Sequence, residues 1–204
     1  MTPLVFSAII VSITTVIFPG PLAAITVIKG RESPWAGFHI ALGHTLTEIA
    51  IIFAIYYGAS QFFESEIIQF LLSIVGGIFM IYLGIKMFRV RSTEERWGHG
   101  MGYNSFFLGF IATILNPMAL LWWATIGGMY IMRFSDFGFY GIVVFILVIE
   151  APNLIWYPFI SIITYKTHAS TWGQKMQPWI LASIGLLLMG FGIWFLVTGI
   201  QVVL

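Results

Sequence analysis

The sequence predicts an all-α integral membrane protein with six transmembrane helices. Charged residues make up 8% of the 204-residue chain and hydrophobic residues 59%, whereas soluble domains carry about a quarter charged residues. The apolar runs reach about 20 residues, the length at which a helix crosses a hydrocarbon core of roughly 30 Å. Alternating segments of the kind that build a membrane barrel do not dominate. The composition therefore places the chain in the bilayer.

Charged or turn-rich breaks divide the chain into six apolar segments. These lie near residues 3 to 28, 35 to 60, 66 to 88, 103 to 132, 137 to 165 and 177 to 202. The N-terminal run lacks a basic flank and is too long for the core of a cleavable signal, so we expect it to be the first span. The chain contains no cysteine, which excludes disulfides, thiolate metal sites and a thiol relay.

The basic residues predict the orientation of the spans. All of them except Arg133 follow the first, third or fifth span: Lys29, Arg31, Lys86, Arg89, Arg91, Arg96, Lys166 and Lys175. The positive-inside rule makes that face cytoplasmic. We therefore expect a multi-pass protein of the cytoplasmic (inner) membrane with both termini outside. The same rule accounts for the basic loop after span three without nucleic-acid binding.

Three spans followed by three more predict two inverted repeats within a single transporter domain. Repeat one covers about residues 1–88, a cytoplasmic loop about 89–102, and repeat two about 103–204. Each repeat has a proline-containing break in its first span and an acid in its second. Helices one and four are therefore expected to be broken at mid-membrane.

Two acids, Glu48 and Glu150, lie about 13 residues, or roughly 20 Å, into their spans. A carboxylate at that depth costs at least a few kcal/mol and usually faces a cavity or a partner. On a helix, His44 lies one turn from Glu48, and Asn153 lies near Glu150. One interpretation is that these pairs are interhelical polar contacts. The other is that Glu48, Glu150 and His44 bind and release protons or contact a substrate cation.

The first span is interrupted by Pro19 and Pro21. Proline removes a helical hydrogen bond, so the carbonyl of Thr15 is expected to lack its usual partner. Pro21 suits the first position of a new half-helix, where its missing N–H costs nothing. The amides of Leu22 and Ala23 then stand at the positive end of the half-helix. This end predicts an anion-binding surface within the membrane.

The fourth span contains a matching "NPMA" break. Asn116 is expected to cap a second half-helix, and Pro117 to begin it. The two breaks would then point at one central cavity from opposite sides. The alternative is a pair of proline kinks that neighbouring helices repair.

Four short motifs, in this order along the chain, resemble the lysine-exporter (LysE-type) family. They are "PGPL", "ALGHTLTEIA" with Glu48, "YLGIK" at the end of span three, and "LNPM". Two residues differ from the family pattern: Leu22 stands where the family has Asn, and Met118 where it has Lys. These changes remove polar groups next to both breaks.

The resemblance implies export of amino acids or similar small metabolites, driven by a proton or ion gradient without nucleotide hydrolysis, cofactor or enzymatic step. The substrate carboxylate is expected near Gly20, Leu22 and Ala23, and its ammonium near Glu48 or Glu150. Rocking of one repeat against the other would expose the site alternately. The remaining candidate binding residues are Pro19, Pro21, Asn116, Pro117 and Asn153.

Two other functions compete with this one. A metal-cation exporter of similar fold would need more ligands than the two that His44 and Glu48 supply, so no metal site is expected. An intramembrane enzyme would need a nucleophile and a base within reach of each other, and the sequence offers no convincing pair. The expected partners are a small solute and the lipid bilayer, and the glycine-rich spans are compatible with a homodimer.

Overall fold

A computed structural model describes residues 1–59, 65–92, 104–168 and 170–201, and its regular elements are helices. Short π-helical segments, Ile55–Ala59 and Trp123–Gly127, extend two of them. The α-helices are α1 (Thr2–Ile17), α2 (Pro21–Gly30), α3 (Ala36–Ala54), α4 (Glu66–Ser92), α5 (Ser105–Ile114), α6 (Pro117–Trp122), α7 (Gly128–Ser135), α8 (Gly138–His168) and α9 (Thr171–Gln201).

Within the described residues, four helical stretches are long and apolar enough to cross a membrane: Ala36–Gly58, Glu66–Phe88, Gly138–His168 and Lys175–Gln201, which belong to α3, α4, α8 and α9. Two further spans arise if each bent pair crosses the membrane once. The first pair, α1 and α2, bends by 60°, and the second, α5 with Pro117–Ser135, bends by 57°. The prediction of a multi-pass helical protein is confirmed, and the two bent pairs match the expected breaks in the first and fourth spans.

The first break is an extended segment between two helices. Phe18 and Gly20 have extended backbone angles, and Pro21 begins α2 as expected. The Phe18 amide donates to the Thr15 carbonyl over 3.2 Å. As expected, Thr15 loses its usual partner four residues on, which is Pro19, and Ile17 likewise at Pro21. The amide of Phe18, three residues on, takes that place at Thr15.

The second break lies at Asn116, whose backbone is extended, and Pro117 begins α6. The Asn116 carbonyl accepts from the Leu120 amide over 3.2 Å. The Asn116 side chain makes no capping hydrogen bond, and its Oδ1 atom is buried without a partner. Asn116 thus occupies the cap position, but the expected side-chain cap is absent.

The helices that pack most extensively on each other come from different halves of the chain. Helices α1 and α2 contact α8, just as α5 contacts α3. Helix α3 packs on α8, and α4 packs along α9. For these four contacts, exchanging the first three spans for the last three returns the same pairs, and the inverted repeats stay a prediction.

Glycines allow the central helices to approach closely. An added Cβ at Gly43 would overlap the Phe106 carbonyl, and one at Gly109 would overlap the Ile40 carbonyl. Helices α3 and α5 therefore touch backbone to backbone. This contact places the polar residues of α3 beside the second break.

The two halves of the first span differ in burial. All ten residues of α2 are buried. In α1, by contrast, the buried residues are Ala8, Ser12 and Val16. The half-helix after the break is therefore enclosed by protein, whereas the half before it leaves most of its surface exposed.

Candidate functional site

Three polar side chains from the second and fifth spans meet inside the bundle. His44 and Glu48 lie on α3 and Glu150 lies on α8, and all three are buried. One nitrogen or carboxylate oxygen from each lies within 4.8 Å of the others. The structure thus joins the two acids that the sequence placed at similar depth in separate repeats.

His44 and Glu48 are arranged to share a proton. The His44 Nδ1 atom lies 2.8 Å from the Thr113 hydroxyl oxygen, and that hydroxyl donates to the Gly109 carbonyl over 2.8 Å. Because the single hydroxyl hydrogen is directed at the carbonyl, Thr113 accepts from a protonated Nδ1. His44 Nε2 then faces Glu48 Oε2 at 3.3 Å. This contact is favourable when one proton lies on either partner.

Each carboxylate also has a donor of its own. The Trp123 indole N–H donates to Glu48 Oε1 over 2.9 Å. The Thr45 hydroxyl donates to Glu150 Oε2 over 2.6 Å, and Asn153 Nδ2 lies 3.5 Å from the same oxygen. Glu150 Oε1 is buried without a partner. Two carboxylates so close together in a buried site favour a proton or a cationic ligand between them.

A cavity of about 230 Å³ adjoins this cluster. Its walls draw on all six spans, since Met80 comes from the third span and Phe191 from the sixth. An added Cβ at Gly20 would meet nothing within 4 Å, so this glycine faces open space. The volume lies below the roughly 300–1,000 Å³ of pockets that hold drug-sized ligands, so the cavity fits a small solute.

Most of the predicted site residues line this cavity, and three do not. Those on its wall are Pro19, Gly20, Pro21, Leu22, His44, Glu48, Asn116 and Asn153. Ala23 is buried in α2, Pro117 packs on Gly76, and Glu150 is held by Thr45. Met118, the second residue that departs from the family pattern, also lines the cavity.

Sequence reasoning missed the tryptophan pair Trp122 and Trp123. Trp122 lines the cavity, and Trp123 is fully buried and bonded to Glu48. Indole rings usually gather at membrane interfaces. Two tryptophans that lie inside a span, five and six residues after Pro117, therefore indicated a functional role that sequence reasoning could have named. Thr113, which holds His44, carried no comparable signal.

The cluster also contains more metal-ligand atoms than the sequence predicted. His44, Glu48 and Glu150 each offer one ligand atom, whereas the sequence prediction counted two residues. A Zn²⁺-like ion takes three protein ligands of these types together with a solvent or substrate atom. Glu150 is the ligand that sequence spacing did not supply, because it comes from the other repeat.

A second polar cluster joins the two repeats beyond the end of α2. Arg31 Nε donates to Gln177 Oε1 over 3.0 Å, and the Ser161 hydroxyl donates to the Ser33 carbonyl over 3.0 Å. Burial lowers the pKa of Arg31 from its ordinary value. These bonds fix α2 against the fifth and sixth spans.

This chain is similar to known proteins over most of its length. The family described as "LysE type translocator" matches residues 13–199. The chain is 25% identical over 191 residues to "Putative amino acid efflux protein YcgF" of Bacillus subtilis (strain 168), with 89% of this chain and 90% of that protein covered. No solved structure matches the chain. The matched region contains both breaks, both acids and every residue that lines the cavity except Ser12, and the chain therefore belongs to the LysE type translocator family of membrane transport proteins.

Proposed function

We propose that this protein exports amino acids or similar small metabolites across the cytoplasmic membrane by proton antiport with alternating access. The observation that carries the proposal is the cavity of about 230 Å³ with Glu48 on one wall and the start of α2 on another. The name of the Bacillus subtilis relative supports the substrate class.

The cavity offers complementary groups to a zwitterion. The first amides of α2, at Leu22 and Ala23, have no intrahelical acceptor, and they stand at the positive end of a ten-residue helix. A substrate carboxylate is favoured there. Glu48 offers its Oε2 atom to a substrate ammonium.

Proton coupling follows from competition for the same carboxylates. A substrate ammonium at Glu48 replaces the proton that Glu48 shares with His44, and Glu150 lies within reach to hold a proton. Substrate and proton then occupy the cluster in turn, which is the requirement for antiport. We assign Glu48 and His44 to exchange with substrate, and Glu150 to the proton.

Alternating access requires a gate on each side of the cavity. The enclosed α2, together with the Arg31–Gln177 and Ser33–Ser161 bonds, would form the inner gate. The orientation expected from the basic residues places this gate on the cytoplasmic side. Opening it would require these bonds between the repeats to break as one repeat rocks against the other.

A proteoliposome experiment tests the proposal. Purified protein is reconstituted, a pH gradient is imposed, and uptake of the twenty amino acids is measured for the wild type and for Glu48→Gln. We expect gradient-driven uptake of at least one amino acid, and its loss in Glu48→Gln. Glu66→Gln is the matched control, because Glu66 is an exposed carboxylate at the start of α4. Equal gradient-driven uptake by wild type and Glu48→Gln would contradict the proposal.

The grouping of His44, Glu48 and Glu150 favours one other function, the export of a divalent cation. An imidazole and two carboxylates are ligands for Zn²⁺ and Mn²⁺. The same vesicles therefore receive Zn²⁺ or Mn²⁺ in a separate arm. Divalent-cation export would be the function if wild-type vesicles carried the cation but no amino acid, and if Glu150→Gln abolished the cation flux.

A further inference from the structure

Two unsatisfied polar atoms belong to residues that line the cavity. Trp122 Nε1 and Asn116 Oδ1 are buried side-chain atoms without a hydrogen-bond partner, and both residues contribute to the cavity wall. Buried polar atoms are nearly always paired, so each such exception requires an explanation. One of these atoms is a donor and the other an acceptor. A bound solute that carries both an acceptor and a donor would satisfy the pair.

Most of the wall surface is apolar, and its polar side chains besides Glu48, Asn116 and Trp122 are Ser12, Thr15, His44, Thr113, Asn153 and Tyr157. Side chains from the first, third, fourth and sixth spans supply the apolar surface: Val16, Phe18, Leu22, Met80, Met118 and Phe191. Their thioether and hydrocarbon groups cannot solvate an ion. A charged group placed among them would lose its hydration without compensation, at a cost of several kcal/mol.

The charges on the wall are few. Among the described residues that line the cavity there is no lysine or arginine, and Glu48 is the one carboxylate. A substrate with an acidic side chain would bring a second anion, and the one imidazole on the wall, His44, is already paired with Glu48. A substrate with a basic side chain would bring a second cation after Glu48 had paired with the first. The wall therefore disfavours both.

We propose that the substrates are α-amino acids with uncharged, apolar side chains, such as leucine and methionine. The carboxylate lies at the start of α2, as in the proposed function, and also accepts a hydrogen bond from Trp122 Nε1. The ammonium donates to Asn116 Oδ1 and Glu48, and the side chain packs against Met118. This inference rests on the proposed export function and names its substrate class. Trp122 and Asn116 act as orienting residues.

Substitutions of Trp122 and Asn116 should change substrate binding without removing a hydrogen bond that stabilises the fold. Since neither atom has a partner in the protein, removing it eliminates an unsatisfied group and breaks no bond within the fold. Asn116→Leu should therefore unfold at the same temperature as the wild type or above it, whereas Trp122→Phe also loses ring packing on Trp123 and is compared with the wild type only as a folded protein. A structural role for Asn116 would instead lower the unfolding temperature.

The test is exchange of labelled leucine across proteoliposomes without any pH gradient. Unlabelled leucine and methionine should compete, whereas lysine and glutamate should not. Trp122→Phe should raise the half-saturating leucine concentration by about tenfold or more, the effect of one lost hydrogen bond to a charged group. Trp194→Phe is the control, because Trp194 is half-exposed and lies away from the cavity.

The outcomes are distinguishable. Competition by leucine and methionine alone, with a weakened Trp122→Phe, supports the inference. Exchange of lysine or glutamate as readily as leucine overturns it and leaves amino-acid export intact. Unchanged leucine affinity in both Trp122→Phe and Asn116→Leu overturns the orienting roles. Failure of every amino acid to exchange overturns the export function as well.

Discussion

Glu48 in the second span and Glu150 in the fifth span are both buried but have different environments. Glu48 lines the cavity and is bonded to Trp123 and paired with His44. Glu150 is absent from the cavity wall, accepts from Thr45, and keeps one oxygen without a partner. The acid on the cavity wall is therefore suited to substrate, and the acid behind it to a proton.

The two breaks differ in a parallel way. The first contains two prolines and leads into α2, whose residues are all buried. The second contains one proline and an Asn116 side chain without a capping bond. The first break therefore supplies a rigid, enclosed wall. The second supplies an unsatisfied side chain that a ligand can use.

The largest expected effect comes from filling the cavity at Gly20. Gly20→Val places its side chain into open space, with φ at −111° and ψ at −171°, which any residue adopts. We expect substrate affinity to fall about tenfold or more, since overpacking a site costs roughly 1–3 kcal/mol once ligand is bound.

The measurements for Gly20→Val are substrate exchange and thermal unfolding of the purified protein. The unfolding temperature should match that of the wild type, because the added Cβ meets no neighbour within 4 Å and the γ-methyl groups extend from it into the cavity side of the break. Unchanged exchange by a folded Gly20→Val protein would show that the cavity is not the path of the substrate.

A smaller effect is expected from Thr45→Val, which acts on Glu150 and not on Glu48. It removes the hydroxyl that donates to Glu150 Oε2 and nearly preserves shape. Gradient-driven uptake should fall by about three- to tenfold, because a buried carboxylate loses its donor. Exchange without a gradient should be unchanged, since Thr45 does not line the cavity.

The control for this prediction is Thr198→Val. The Thr198 hydroxyl donates within its own helix, to the Trp194 carbonyl, so its loss should affect neither measurement. Equal loss of exchange and gradient-driven uptake in Thr45→Val would contradict separate roles for Glu48 and Glu150.

Proline chemistry and hydropathy were sufficient to predict the spans and the breaks. Pro19, Pro21 and Pro117 interrupt apolar runs, and a carboxylate in mid-span stands out in any hydropathy profile. The resemblance on four short motifs also named the family correctly. These features are local in sequence, so a single chain reveals them.

The arrangement of the site was not predictable in this way. Which acid faces the cavity depends on how α3 and α8 are rotated against each other, and tertiary packing sets that rotation. The bond from Trp123 to Glu48 joins residues of different repeats, and Trp123 begins a π-helical segment that shifts the helical register. The missing cap at Asn116 likewise reflects its surroundings and not its residue type.

The most direct test of the central claim is whether amino-acid movement itself moves protons. Vesicles are loaded with leucine and an internal pH-sensitive dye, without an initial pH gradient, and leucine is allowed to leave. Antiport predicts that the interior acidifies as leucine exits, and that Glu150→Gln abolishes the acidification while leucine still exchanges. Leucine exit from wild-type vesicles without any change in internal pH would contradict the account.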